Sequence, residues 1–184
     1  MKKLMLATAA LALTAGIAAA APVRIGSEGA YPPYNLVNEA GELDGFDIAV
    51  GNEVCKRAEL ECVWVKNDWD SIIPNLKSSN YDAIMAGMSI TDERRKVVDF
   101  SDRYYKTPSA IVVKKGTEYT GPASLKGKSI GVLKGSTQEK WAMGELKPAG
   151  VNVVPYEAQD QVYLDINAGR LDGTVADKVE VHGG

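Results

Sequence analysis

The sequence has one histidine, His182, and two cysteines, Cys55 and Cys62, in 184 residues. A structural zinc site takes about four such ligands, so these three do not make one. Nor is the cysteine spacing that of a redox C-x-x-C pair. An excess of basic charge is also missing: 21 Lys and Arg stand against 24 Asp and Glu. A nucleic-acid-binding protein needs a basic face, and the balance here is acidic. Past the first twenty residues, no apolar run approaches the roughly 20 residues of a membrane helix.

What is present begins with a leader. Lys2 and Lys3 form a basic start, Leu4 to Ile17 an apolar run, and Ala18-Ala19-Ala20 the small residues of a cleavage site. This is the layout of a secretory signal peptide, residues 1–20. No cysteine follows the cut, so no lipid anchor is implied. Removing the leader lowers the basic count by two to 19 and removes no acid. In an oxidising compartment the remaining cysteine pair favours a disulfide between Cys55 and Cys62. In the chain-entropy view, closing so short a loop contributes about 2–3 kcal/mol.

Apolar runs and turn residues divide the rest into two α/β units. Val23 to Gly26, Cys62 to Val65 and Asp82 to Met85 read as strands. Helices are expected from Asp47, a plausible N-cap, to Ala58 and from Trp69 to Lys77, with a loop from Glu28 to Tyr34. The pattern restarts with strands Ser109–Lys114, Ser129–Leu133, Val151–Tyr156 and Gly173–Ala176. Helices open at Gly135-Ser136-Thr137 and at Asp160. Alternating β and α predicts mostly parallel sheets with helices on both faces. The join falls near Tyr105 to Pro108, giving one lobe over 21–106 and a second over 107–184. Ligands in such sheets sit beyond the carboxyl ends of the strands, here the loops after Gly26, Met85, Leu133 and Ala176.

One of these loops stands out. Asp82-Ala-Ile-Met-Ala-Gly-Met-Ser-Ile-Thr-Asp-Glu-Arg94 passes from a strand through small residues into a charged helix. An arginine fork beside unpaired backbone N–H groups suits a carboxylate. On pattern alone, Arg94 beside Arg95 and Lys96 reads as a solvated helix face.

Further motifs change that balance. Gly41-Glu-Leu-Asp-Gly-Phe-Asp47, Ala83-Ile-Met-Ala-Gly-Met-Ser-Ile-Thr91, Asp99-Phe-Ser101, Gly131-Val-Leu-Lys-Gly-Ser-Thr-Gln138 and Gly169-Arg-Leu-Asp172 recur together. From Val23 to Asp177 the chain resembles the periplasmic polar amino-acid-binding proteins of ABC importers, solute-binding family 3. Within that family it is similar to the lysine/arginine/ornithine- and histidine-binding group and its opine-binding relatives. The resemblance implies a type II periplasmic-binding-protein fold, two α/β lobes with a ligand cleft between them. It also implies a monomeric periplasmic receptor without catalytic residues, cofactor or metal, which hands a free amino acid to a membrane permease.

The same resemblance assigns roles. Arg94 would clamp the ligand α-carboxylate, sharing it with N–H groups at Ser89 and Thr137, while Ser136 and Gln138 line that wall. Asp177 and the carbonyl of Gly87 would take the α-ammonium. Glu28, Tyr31 and Trp69 would meet the side chain, the acid selecting a cationic one such as arginine, lysine or ornithine. Ala86 and Gly87 replace serines of the histidine-binding group, which implies fewer hydroxyls and a wider pocket, and keeps opines in view. An enzyme of the cyclohexadienyl dehydratase type on the same scaffold is the rival reading, with Glu28 as its candidate acid. The family continues well past the Asp177 position to complete both lobes, whereas this sequence stops at Gly184. The C-terminal return segment is therefore expected to be missing, the sequence being a fragment or a shortened product.

Overall fold

A computed structural model describes residues 21–178; the expected signal peptide and the last six residues, with His182, lie outside the described residues. Strand β1 (Val23–Ser27) lies between β5 (Cys62–Lys66) and β6 (Ala83–Ile84), parallel to both. Val23 is in register with Cys62, and Ile25 with Ala83. Gly26 sits where the ring of Tyr81 packs on the sheet, and a Cβ there would come within 2.7 Å of that ring. Only glycine allows so close an approach.

The loop expected after β1 contains its own structure. β2 (Ala30–Tyr31), β3 (Asn35–Val37) and β4 (Leu43–Asp44) form an antiparallel meander. Helix α1 (Phe46–Arg57) then leads to β5. Its N-cap is Gly45, not Asp47; Asp47 lies inside the first turn, fully buried. Its carboxylate is used elsewhere, accepting hydrogen bonds from Tyr104 Oη at 2.7 Å and Asn35 Nδ2 at 3.0 Å. The expected disulfide is present: Cys55 near the end of α1 is bonded to Cys62 at the start of β5. The segment Trp69 to Lys77 divides into a 3-10 turn (Trp69–Ser71) and α2 (Ile72–Lys77). Pro74 falls in the first turn of α2, where a missing N–H costs nothing.

The second sheet is mixed. β8 (Ser129–Leu133), β9 (Asn152–Tyr156) and β10 (Gly173–Asp177) are parallel, and β7 (Ser109–Val113) runs antiparallel along β10. One antiparallel edge on a parallel sheet agrees with the mostly parallel expectation, and it arises because the chain enters from the first sheet directly into β7 without a crossover helix. α4 (Thr137–Glu145) and α5 (Gln159–Asn167) cover the sheet. Its core is Leu125, Ile130, Val132, Ala142, Leu146, Val151 and Val175. A second apolar cluster joins the two units: Trp69, Ile72, Tyr81 and Ala86 from the first pack with Leu133 from the second. α3 (Asp92–Arg95) is a single turn following β6.

Candidate ligand-binding site

The carboxyl ends of β1, β6, β8 and β10 face one another across the two units, and the loops leaving them enclose a cavity. It holds about 330 Å³ not filled by protein atoms, part of it open to solvent. All eleven residues expected at the site line it, with Leu133 in addition. Leu133 ends a buried strand, and nothing in its local pattern separates it from other core leucines.

Arg94 is half-buried and donates through Nη1 to the Ser89 carbonyl at 2.9 Å and through Nη2 to the Gly135 carbonyl at 3.2 Å. Its guanidinium lies over the ring of Trp69, 5.3 Å from the centroid. Burial lowers its pKa from the usual value, with nearby Glu93 opposing. No carboxylate among the described residues forms an ion pair with it. A half-buried cation held by carbonyls and an aromatic face retains capacity for an anion. The loop before it is capped by Thr91, whose hydroxyl accepts from Arg94 N–H at 3.1 Å; Ser89 lies two residues further back and caps nothing.

On the other side, Ser136 rather than Thr137 caps α4. Its Oγ accepts from Glu139 N–H at 3.0 Å and donates to the Leu133 carbonyl at 2.6 Å. Glu139 reaches back to the Gly135 N–H at 2.7 Å. The pattern Ser136-x-x-Glu139 is thus a near capping box, and the first N–H groups of the helix, at Thr137 and Gln138, have no intrahelical partner and belong to residues that line the cavity. The Ser136 hydroxyl is committed to the cap and has no proton to offer a ligand.

Asp177, the last residue of β10, accepts from Gln138 Nε2 at 3.1 Å, and its N–H donates to Tyr31 Oη at 3.2 Å. Burial raises its pKa, and the hydrogen bonds from Tyr31 and Gln138 hold it down. Gly87 takes φ +58, in the left-handed region, and a Cβ there would run into Tyr105 Oη. The room left by the missing side chain is therefore filled by Tyr105, which revises the expectation of a wider pocket.

Glu28 is 2% exposed, and its Oε1 has no hydrogen-bond partner. Its pKa is pushed up to about 8, first by burial, then by repulsion from Asp160 and Asp68, with Lys66 opposing. A buried carboxyl left unsatisfied is costly unless something is to pair with it. The cavity thus carries a cation, the start of a helix and two acids, with Trp69 against Arg94 and Tyr31 against Asp177.

Fold and site together define an α/β binding protein with a cavity at the strand ends. The bacterial extracellular solute-binding proteins, family 3, match over residues 23–177, and the chain belongs to that family. It is 48% identical to the L-arginine-binding protein of Pseudomonas aeruginosa, over 100% of this chain and 73% of that protein. It is 44% identical to the lysine/arginine/ornithine-binding periplasmic protein of Escherichia coli, over 97% of this chain and 71% of that one. Among solved structures, an ancestral arginine-binding protein bound to arginine superposes with a TM-score of 0.83 at 38% identity, covering 88% of this chain and 72% of that chain.

Proposed function

We propose that this protein is a receptor of an ABC importer that captures a cationic α-amino acid, arginine, lysine or ornithine, outside the cytoplasmic membrane. Residues 21–106 act as one lobe and the chain from 107 onward as the other. Arg94 with the N–H groups of Ser89 and Thr137 takes the α-carboxylate. Asp177, steadied by Gln138, takes the α-ammonium together with the Gly87 carbonyl. Tyr31 and Trp69 flank the side chain, Ala86 and Ser136 shape the walls, and Glu28 meets the distal cation. The site binds and releases its ligand without chemistry. Export through residues 1–20 accords with relatives named as periplasmic proteins.

The observation that carries this reading is Glu28: an unpartnered, buried carboxyl in the same cavity as Arg94 and Asp177. An aliphatic or acidic side chain would leave it unsatisfied, a neutral amide would give it an uncharged hydrogen bond, and a guanidinium or ammonium would give it the stronger charge-assisted one. Calorimetric titration with arginine, lysine, ornithine, glutamine and glutamate tests the reading. The expected order places a basic amino acid first; glutamine or glutamate binding tighter than every basic ligand would overturn it. Arg94→Ala is expected to weaken the best ligand about 10- to 100-fold, since a charge-assisted hydrogen bond contributes about 1.5–3 kcal/mol.

A further inference from the structure

Glu28 lines more than one hollow. A second, larger hollow, about 860 Å³ including its open mouth, shares Glu28 and Trp69 with the first. Its two walls differ in kind. The meander supplies an apolar wall through Ala30, Pro32, Leu36 and Val37, while Lys66, Asp68, Glu157, Asp160 and Gln161 supply a polar one. Of the acids, Glu157 is paired with Lys134 at 2.8 Å. Asp68 and Asp160 have no cationic partner within salt-bridge distance among the described residues. Both still act on Glu28, whose carboxyl they disfavour from that side. An exposed acidic rim alone would be ordinary solvated surface. Here it continues from a carboxyl that is 98% buried, unpartnered at Oε1, and common to both hollows.

We propose that this second hollow is a subsite for the tail of an α-amino acid whose side chain carries two positive charges. The proposal rests on the receptor reading above. The first charge pairs with Glu28, as the side chain of lysine would. A further alkyl segment then crosses the apolar wall of the meander, and a terminal ammonium reaches Asp68 and Asp160. Lysine stops at Glu28 and leaves the second hollow to water. An Nε-(aminoalkyl)lysine spans both. The amphipathic hollow matches such a tail, because apolar methylene groups and a terminal ammonium each find their complement.

The test compares lysine, arginine and Nε-(4-aminobutyl)lysine by calorimetry on the wild-type protein and on a variant carrying Asp68→Asn and Asp160→Asn. Both aspartates are exposed and lie outside the first cavity, and asparagine keeps the shape of each. The extended ligand is expected to bind the wild type at least as tightly as lysine. It should lose about fivefold or more in the variant, and more of its affinity in added salt, while lysine changes by less than about threefold. Binding of lysine with exclusion of the extended ligand overturns the subsite alone, as does an equal loss for both ligands in the variant. No binding of lysine, arginine or the extended ligand overturns the receptor reading and the subsite with it.

Discussion

Glu28 is the residue on which stability and binding pull in opposite directions. Its raised folded-state pKa means that the folded chain holds a proton that the unfolded chain has released. Between its ordinary value near 4.5 and its shifted value of about 8, the folded state therefore binds more protons. Stability of the unliganded protein falls as pH rises through that window and levels off above it. Thermal melts from pH 5 to 9 should show this decline, and Glu28→Gln should flatten it. Binding a cation reverses the preference. The ionised carboxyl is then the favoured form, so capture below pH 8 releases a proton and affinity rises toward pH 8. Titrations in buffers of different ionisation enthalpy should give different observed heats for the wild type and a smaller spread for Glu28→Gln. The Gln variant should also lose about tenfold or more in affinity for the basic ligand.

At the scale of elements, the loops at the strand ends are held by polar contacts that the sequence does not advertise. Gly29 N–H donates to Asn35 Oδ1, Asn35 donates to Asp47, and Tyr104 donates to the other oxygen of Asp47. This run of bonds ties the loop beside Glu28 to the segment connecting the two sheets. Tyr104→Phe leaves a buried carboxylate oxygen without its donor and is expected to cost about 1–3 kcal/mol in chemical denaturation. Ser136→Ala removes the cap of α4 and should cost about 1 kcal/mol. The buried parallel strands were legible from sequence because they read as short β-branched runs between turn residues. The strand Ser129 to Leu133 matches its expected bounds. The meander was not legible, since strands of two or three residues carry no period. Asp47 looks like a cap in the sequence because acids favour helix starts, but its partners Asn35 and Tyr104 lie 12 and 57 positions away. The site residues could be grouped by strand ends and by resemblance. The isolation of Glu28 could not be seen, because burial at one loop depends on the rest of the chain.

Across the whole molecule, the two units touch through contacts of unequal weight. Lys134 reaches Asp70, and Lys140 reaches Glu93, at the exposed rim. Such exposed pairs are each worth about 0.2–1 kcal/mol. In the proposed receptor, a ligand bridging Arg94 and Thr137 would draw the two units together, closing the cleft, more strongly than these rim pairs do. Lys134→Ala should accordingly change affinity by less than about fivefold, well short of the effect of Arg94→Ala. Small-angle scattering should show a smaller radius of gyration with arginine than without it, and the same compaction in the Lys134 variant. Trp69 lies where the units meet, buried under the Arg94 guanidinium, which itself donates across to the Gly135 carbonyl. Of the three tryptophans, it alone lines the cavity. The protein therefore carries its own optical probe. A change in indole emission on adding arginine, retained in Trp141→Phe and lost in Trp69→Phe, would let closure be timed by stopped flow without any attached dye.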